Sequence, residues 1–204
     1  PDEKGAKDKR CREIFKLQST GLCERMRKIG IKKAVIGISG GLDSTLALLV
    51  TIEAMKSLSL PMSNIVSITM PGLGTTDRTY QNALTLMKEL GTTVREISIE
   101  AASIQHFADI GHDTGVHDIT YENTQARERT QILFDSANME GGLVVGTGDM
   151  SELALGWCTY NGDHMSNYAV NAGVPKSLVK HLISWYAETT ENKKVAAALA
   201  DVLD

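Results

Sequence analysis

The feature that most limits what this chain can become is the stretch Ala34-Val35-Ile36-Gly37-Ile38-Ser39-Gly40-Gly41-Leu42-Asp43-Ser44-Thr45. An apolar, β-branched run passes into a turn of small residues, and a helical pattern follows from Thr45 to about Leu58. That order predicts a strand, a tight loop and a helix. Gly40 and Gly41 let an anion approach the main chain with no Cβ in the way, and the opening N–H groups of the helix meet it with the positive end of the dipole. The stretch is expected to hold a phosphate; the alternative is a Gly/Ser turn without a ligand.

The loop lacks the lysine of a Walker A motif, since Leu42 and Asp43 follow the second glycine, and it is out of register with the dinucleotide fingerprint. A carboxylate beside a polyphosphate is repelled unless a divalent cation bridges them, so Asp43 points to Mg²⁺ held jointly with nucleotide oxygens. Ser39-Gly40-Gly41-Leu42-Asp43-Ser44 resembles the pyrophosphate loop, S-G-G-x-D-S, of the ATP-pyrophosphatase family, whose members adenylate a substrate oxygen and release pyrophosphate.

Along the chain, residues Pro1 to about Arg10 are charged and read, with the next two, as a linker or frayed terminus before a domain over residues 13–204. A packing helix is expected from Cys11 to Ile29, interrupted at Thr20-Gly21. Strands are expected at Lys33–Ile38, Ile65–Met70, Thr93–Ile99 and Leu143–Val145, and helices at Thr79–Leu90, Tyr121–Met139, Lys176–Tyr186 and Glu191–Leu203. Strands alternating with helices predict a doubly wound parallel sheet flanked by helices. Residues 101–120 show no sustained period and read as a mobile loop, with His106, His112 and His117 as surface side chains rather than a metal cluster. Thr75, Thr76, Asp77 and Arg78 follow a strand and are candidates for substrate contact or, for Thr76 and Asp77, a helix N-cap.

A second strand-to-helix turn, Gly146-Thr147-Gly148-Asp149, precedes Ser151-Glu152. In a doubly wound sheet the first and fourth strands are neighbours at the switch point, so Asp43 and Glu152 are expected to share Mg²⁺ across one crevice. The other reading of Glu152 is compensation of the helix dipole. Trp157 and Tyr160 follow at once, either as core aromatics or as contacts to a planar ring.

The net charge of −4 does not suggest a nucleic-acid partner, no apolar run is long enough to span a bilayer, and Cys11, Cys23 and Cys158 form no C-x-x-C pair, so a reduced, cytoplasmic setting is expected.

Gly146 through Trp157, Val170-Asn171-Ala172-Gly173-Val174-Pro175-Lys176, Thr69-Met70-Pro71-Gly72 and Glu122-Asn123-Thr124-Gln125-Ala126-Arg127 together resemble the synthetase domain of glutamine-dependent NAD synthetases, of adenine nucleotide alpha hydrolase-like, PP-loop fold. The resemblance implies a carbon-nitrogen ligase that adenylates deamido-NAD with ATP, releases pyrophosphate, and then lets ammonia displace AMP. It implies ATP contacts from Gly37, Ser39, Gly40, Gly41, Leu42, Asp43, Ser44 and Thr147, and Mg²⁺ on Asp43 and Glu152, which are also the catalytic pair. Deamido-NAD contacts are implied for Asn123, Arg127, Glu152, Trp157, Cys158, Thr159 and Tyr160. A glutaminase (nitrilase-like) domain is absent from these residues, so ammonia would come from solution or from that domain of a longer chain, and the synthetase domain is expected to continue past Asp204. A homodimer or larger homo-oligomer is expected, with Ala126 and Leu133 at a two-fold contact. Competing readings are a related ligase with another acceptor and a non-catalytic nucleotide-binding module, which would need neither Asp43 nor Glu152.

Overall fold

Two short apolar runs set the centre of the molecule. β1 (Ala34–Gly37) and β2 (Ile65–Thr69) are buried on both faces, as parallel strands covered by helices on each side must be. With β3 (Thr93–Glu96), β4 (Leu143–Gly146) and β5 (Tyr168–Ala169) they form a five-stranded parallel sheet in the order β3-β2-β1-β4-β5. The computed structural model describes residues 4–74 and 77–204.

Alternation along the strands assigns side chains to two layers. Ala34 and Ile36 point to the larger core, built with α1 (Lys4–Ile29), α2 (Leu42–Ser57), α7 (Lys176–Thr189) and α8 (Lys193–Leu203). Val35 points to the other face, where Val66, Ile68, Met70 and Val144 meet Ala137 and Leu133 of α5 (Ile119–Glu140) and Ile99 ahead of α4 (Glu100–Ile110). α2 is apolar almost all round, with Leu46, Leu48, Leu49, Val50 and Met55 fully buried, because it lies between sheet and outer helices. Each such Leu contributes roughly 1.5–3 kcal/mol by burial. α3 (Asp77–Glu89) and α6 (Met150–Leu155) complete the fold. Among the described residues no helix is long and apolar enough to cross a membrane.

Several expectations are corrected. α1 begins at Lys4, not at Cys11, because the segment docks on α7: Trp185 Nε1 donates to Asp8 Oδ1 at 3.0 Å, Lys7 pairs with Glu188 at 3.0 Å, and Cys11 is buried. Gly21 does not interrupt the helix. It makes room for Tyr168, whose hydroxyl lies 2.2 Å from where a Cβ would stand. Residues 100–110 form α4, held by Ser103 and Phe107 and closed by Gly111 at φ 73, where a mobile loop was expected. Thr75 and Thr76 lie outside the described residues, and α3 opens at Asp77.

Candidate active site

The loop after β1 is fixed by its own hydroxyls. Ser44 Oγ donates to the Gly41 carbonyl at 3.2 Å and lies 3.1 Å from Ser39 Oγ, and the Gly41 amide donates to Ser39 Oγ at 3.2 Å. Gly40 has φ 84, and a Cβ there would meet the Thr79 carbonyl oxygen at 2.0 Å, so this position admits only glycine. Among the described residues no side chain caps α2 at Gly41, which leaves its first-turn N–H groups to an anion.

The second turn is built differently. Asp149, fully buried, accepts the Glu152 amide at 2.8 Å, while Glu152 Oε2 accepts the Asp149 amide at 3.1 Å. This reciprocal capping box is why Glu152 stands on the first turn of α6 with one oxygen fixed. Glu152 therefore has the helix-terminal role and still keeps Oε1 for the crevice.

Asp43 and Glu152 do converge, around a third group that sequence reasoning did not assign. Lys176 Nζ pairs with Asp43 Oδ2 and lies 3.4 Å from Asp149 Oδ2 and 3.5 Å from Glu152 Oε1. Burial pushes the Asp43 carboxyl up, with Asp149 adding to the effect and Lys176 opposing it. Burial works against the Lys176 charge, yet Asp43, Glu152 and Asp149 together hold its ammonium above the ordinary lysine value. Asp43 Oδ1 and Asp149 Oδ2 are buried and, among the described residues, accept no hydrogen bond. Among the described residues no group of three or more His, Cys, Asp and Glu side chains has metal-ligand geometry. Mg²⁺ is commonly held by one or two carboxylates plus phosphate oxygens and water, so hard, donor-poor oxygens beside an anion-binding loop fit that ion arriving with a nucleotide.

Beside this cluster, a cavity of about 610 Å³ runs between the loop and α5. Gly37, Ser39, Gly41, Ser44 and Thr147 line its polar side, and Met70, Leu133 and Val144 its apolar side. Leu42 instead packs against the larger core. Ala126 and Leu133, expected at a two-fold contact, line the cavity within one chain, and Leu133 Cδ1 lies 3.1 Å from where a Cβ on Gly37 would stand. Arg129, also on the wall, is largely buried, donates from Nε to the Met70 carbonyl at 3.1 Å, and has its pKa lowered by that burial.

The segment after α6 docks on α5. Arg127 Nε donates to the Tyr160 carbonyl at 3.1 Å and Thr159 Oγ1 donates to Asn123 Oδ1 at 2.8 Å, which joins four of the expected deamido-NAD residues directly. A second cavity of about 390 Å³ opens beside Arg127 and Asn161. Trp157 and Tyr160 are 77% and 83% exposed, so neither is a core aromatic. Cys158 is exposed and lines a small cleft with Trp157 and Glu152.

A model of the NAD synthase family matches residues 14–200. The chain belongs to the NAD synthase family. The glutamine-dependent NAD(+) synthetase of Mycobacterium bovis is 48% identical over 200 residues, which cover 95% of this chain and 30% of that protein. The Mycobacterium leprae protein of the same name is 47% identical over 200 residues, 95% of this chain and 29% of that protein. The chain thus spans under a third of these relatives' length. The structure of glutamine-dependent NAD+ synthetase from Acinetobacter baumannii in complex with adenosine diphosphate matches with a TM-score of 0.84 at 26% identity, over 93% of this chain and 35% of that one. The sheet and flanking helices are the PP-loop, adenine nucleotide alpha hydrolase-like fold of NAD synthetases.

Within this NAD synthase domain, reading by motif missed Asp149 as a buried acid and Lys176 as its counter-charge. Asp149 carried a signal, because an aspartate three residues before a glutamate at a strand-to-helix turn is a capping-box pattern. Lys176 closes one of the stretches that carry the resemblance, but nothing local ties it to the acids, since only the packing of α7 brings it 133 residues back to Asp43.

Proposed function

We propose that this chain carries out the ATP-dependent amidation of deamido-NAD to NAD, as the synthetase part of a longer, glutamine-dependent enzyme. The carrying observation is the arrangement of Asp43, Asp149 and Glu152 around Lys176 at the edge of the cavity lined by the loop at Ser39.

In this reading the nucleotide occupies the larger cavity, with its phosphates on Ser39, Gly40, Gly41, Ser44 and the first turn of α2. Bound Mg²⁺, on Asp43 and Glu152, would supply charge neutralisation of the polyphosphate. The nicotinate carboxylate oxygen attacks the α-phosphorus, the bond to the β-phosphate oxygen breaks, and pyrophosphate leaves toward the α2 amides. Ammonia then adds to the acyl carbon, AMP departs and a proton is lost, leaving the amide. The chain supplies no covalent nucleophile; it positions the reactants and places charge, which are the main contributions to such transfers. Lys176, released when the carboxylates take up a cation, is the ammonium within reach of the departing phosphates.

Asn123, Arg127, Thr159 and Tyr160, already bonded to one another, form the proposed deamido-NAD platform, with Trp157 and Cys158 at its edge near Glu152. Exposed Leu155, Trp157 and Tyr160, close in sequence at and after the end of α6, support self-association as a homodimer or larger assembly. Ammonia would come from a glutaminase domain or from solution. The unpaired cysteines fit a cytoplasmic setting.

The test is exchange of labelled pyrophosphate into ATP. Exchange that requires both Mg²⁺ and deamido-NAD, followed by NAD formation on adding ammonia, supports the reading. Exchange that ignores deamido-NAD, or none at all, overturns it.

A further inference from the structure

The ladder between β1 and β4 is short. They pair only at Ala34↔Leu143 and Val35↔Val144, whereas β1 stays paired with β2 as far as Gly37↔Ile68, and β4 turns to β5 at Val145↔Tyr168 and Gly146↔Ala169. Parting strands open the crevice at the switch point of such a sheet. They also mean that main-chain pairing no longer sets the distance between the loop at Ser39 and the turn at Thr147.

A buried amide spans that gap from carbonyl to carbonyl, where Lys176 joins only side chains. Asn171, fully buried just after β5, donates from Nδ2 to the Asp43 carbonyl at 3.0 Å and to the Thr147 carbonyl at 3.0 Å. Its Oδ1 accepts from Gln18 Nε2 at 3.1 Å, and the same Nε2 donates to the Val170 carbonyl at 2.9 Å. Both donors of the amide are therefore used on the two loops, and its acceptor is held by α1. Turning the amide over would set Oδ1 against two carbonyl oxygens, so Gln18 also fixes which way round it sits. The Asn171 carbonyl accepts the Val174 amide at 2.9 Å, closing the turn that delivers Lys176.

We infer that Asn171 is the positioning residue that sets the separation of the two phosphate-facing loops, with Gln18 of α1 as its support. This deepens the proposed function and rests on it. Asn171 touches no reacting atom; it fixes where the Asp43 and Glu152 side chains stand relative to Thr147 and a bound nucleotide. Losing it lets the loops separate where the sheet has already stopped joining them, while the loop's internal Ser39 and Ser44 hydrogen bonds, and so its grip on phosphate, persist.

The test compares wild type, Asn171→Ala and Gln18→Leu, each assayed well below its own melting temperature. For Asn171→Ala we expect exchange at saturating ATP and deamido-NAD to fall about 100-fold, the penalty for an ångström-scale misplacement, while the ATP dissociation constant moves less than about threefold. Gln18→Leu, which keeps both loop bonds, should lose about tenfold in the same parameter. Wild-type exchange with full exchange in folded Asn171→Ala overturns the positioning role alone, as does a loss confined to ATP affinity. If Asn171→Ala does not fold, full exchange in Gln18→Leu overturns it. Absence of exchange in wild type overturns the proposed function and this inference with it.

Discussion

Lys176 and Asp43 form an ion pair across the crevice, joining the first residue of α7 to the first turn of α2. The pair stands at the place where a second carboxylate, Asp149, is fully buried. The ammonium thus holds a cluster of acids in the ligand-free chain that would otherwise repel one another.

Replacing Lys176 by Met leaves those acids without compensation. We expect a loss of about 1–2 kcal/mol, below the figure for a fully buried pair because the lysine is 45% exposed. Millimolar Mg²⁺ should restore the melting temperature of the variant and shift wild type much less. Calorimetric scans with and without MgCl₂ check this, and a variant indifferent to Mg²⁺ would count against the cation site.

Asp43 gives the opposite sign. Its folded-state carboxyl is raised by burial, so between its unfolded and folded values the folded chain binds the extra proton. Stability from this group grows as pH falls through the folded value, and the ionised carboxylate costs stability above it. Asp43→Asn should therefore melt at the same or a higher temperature at neutral pH, with less gain on mild acidification. Pyrophosphate exchange should fall roughly 10²–10³-fold. Urea titrations at several pH values and the exchange assay read the two effects separately.

Trp157→Ala removes a ring that is 77% exposed, so stability should move by no more than about 0.5 kcal/mol. Deamido-NAD binding should weaken by about 0.5–1.5 kcal/mol and ATP binding stay unchanged. Paired titrations decide this, and equal weakening of both ligands would remove the ring from the dinucleotide platform.

Gly40→Ala places a methyl 2.0 Å from the Thr79 carbonyl oxygen at a φ of 84. The strain should cost about 1–3 kcal/mol and push α3 from the loop. ATP affinity should drop with it, whereas Gly74→Ala, with nothing within 4 Å among the described residues, should change stability little. Thermal melts and nucleotide titrations of the two variants provide the check.

The motif-bearing turns were legible because their chemistry is local: glycines where main chain meets main chain, acids at helix starts, β-branched runs buried on both sides. The order of β1 beside β4 followed from topology alone. What stayed hidden depends on distant partners. The opening of α1 is too charged to look packed, and its anchors, Asp8 and Cys11, are single residues meeting α7. α4 buries only Ser103 and Phe107, too few for a period to show. β5 is two residues long. The cavity wall at Leu133 was not legible either, because an apolar helix face does not reveal whether it meets a partner or a cavity within its own chain.

The two tryptophans occupy opposite environments, Trp157 almost bare at the proposed dinucleotide platform and Trp185 at 7% exposure, donating to Asp8 in the outer core. The chain therefore carries two intrinsic optical probes. Iodide should quench the red-shifted emission of Trp157 and spare that of Trp185, so occupation of the platform and loosening of the α1–α7 contact can be followed in one cuvette without a label.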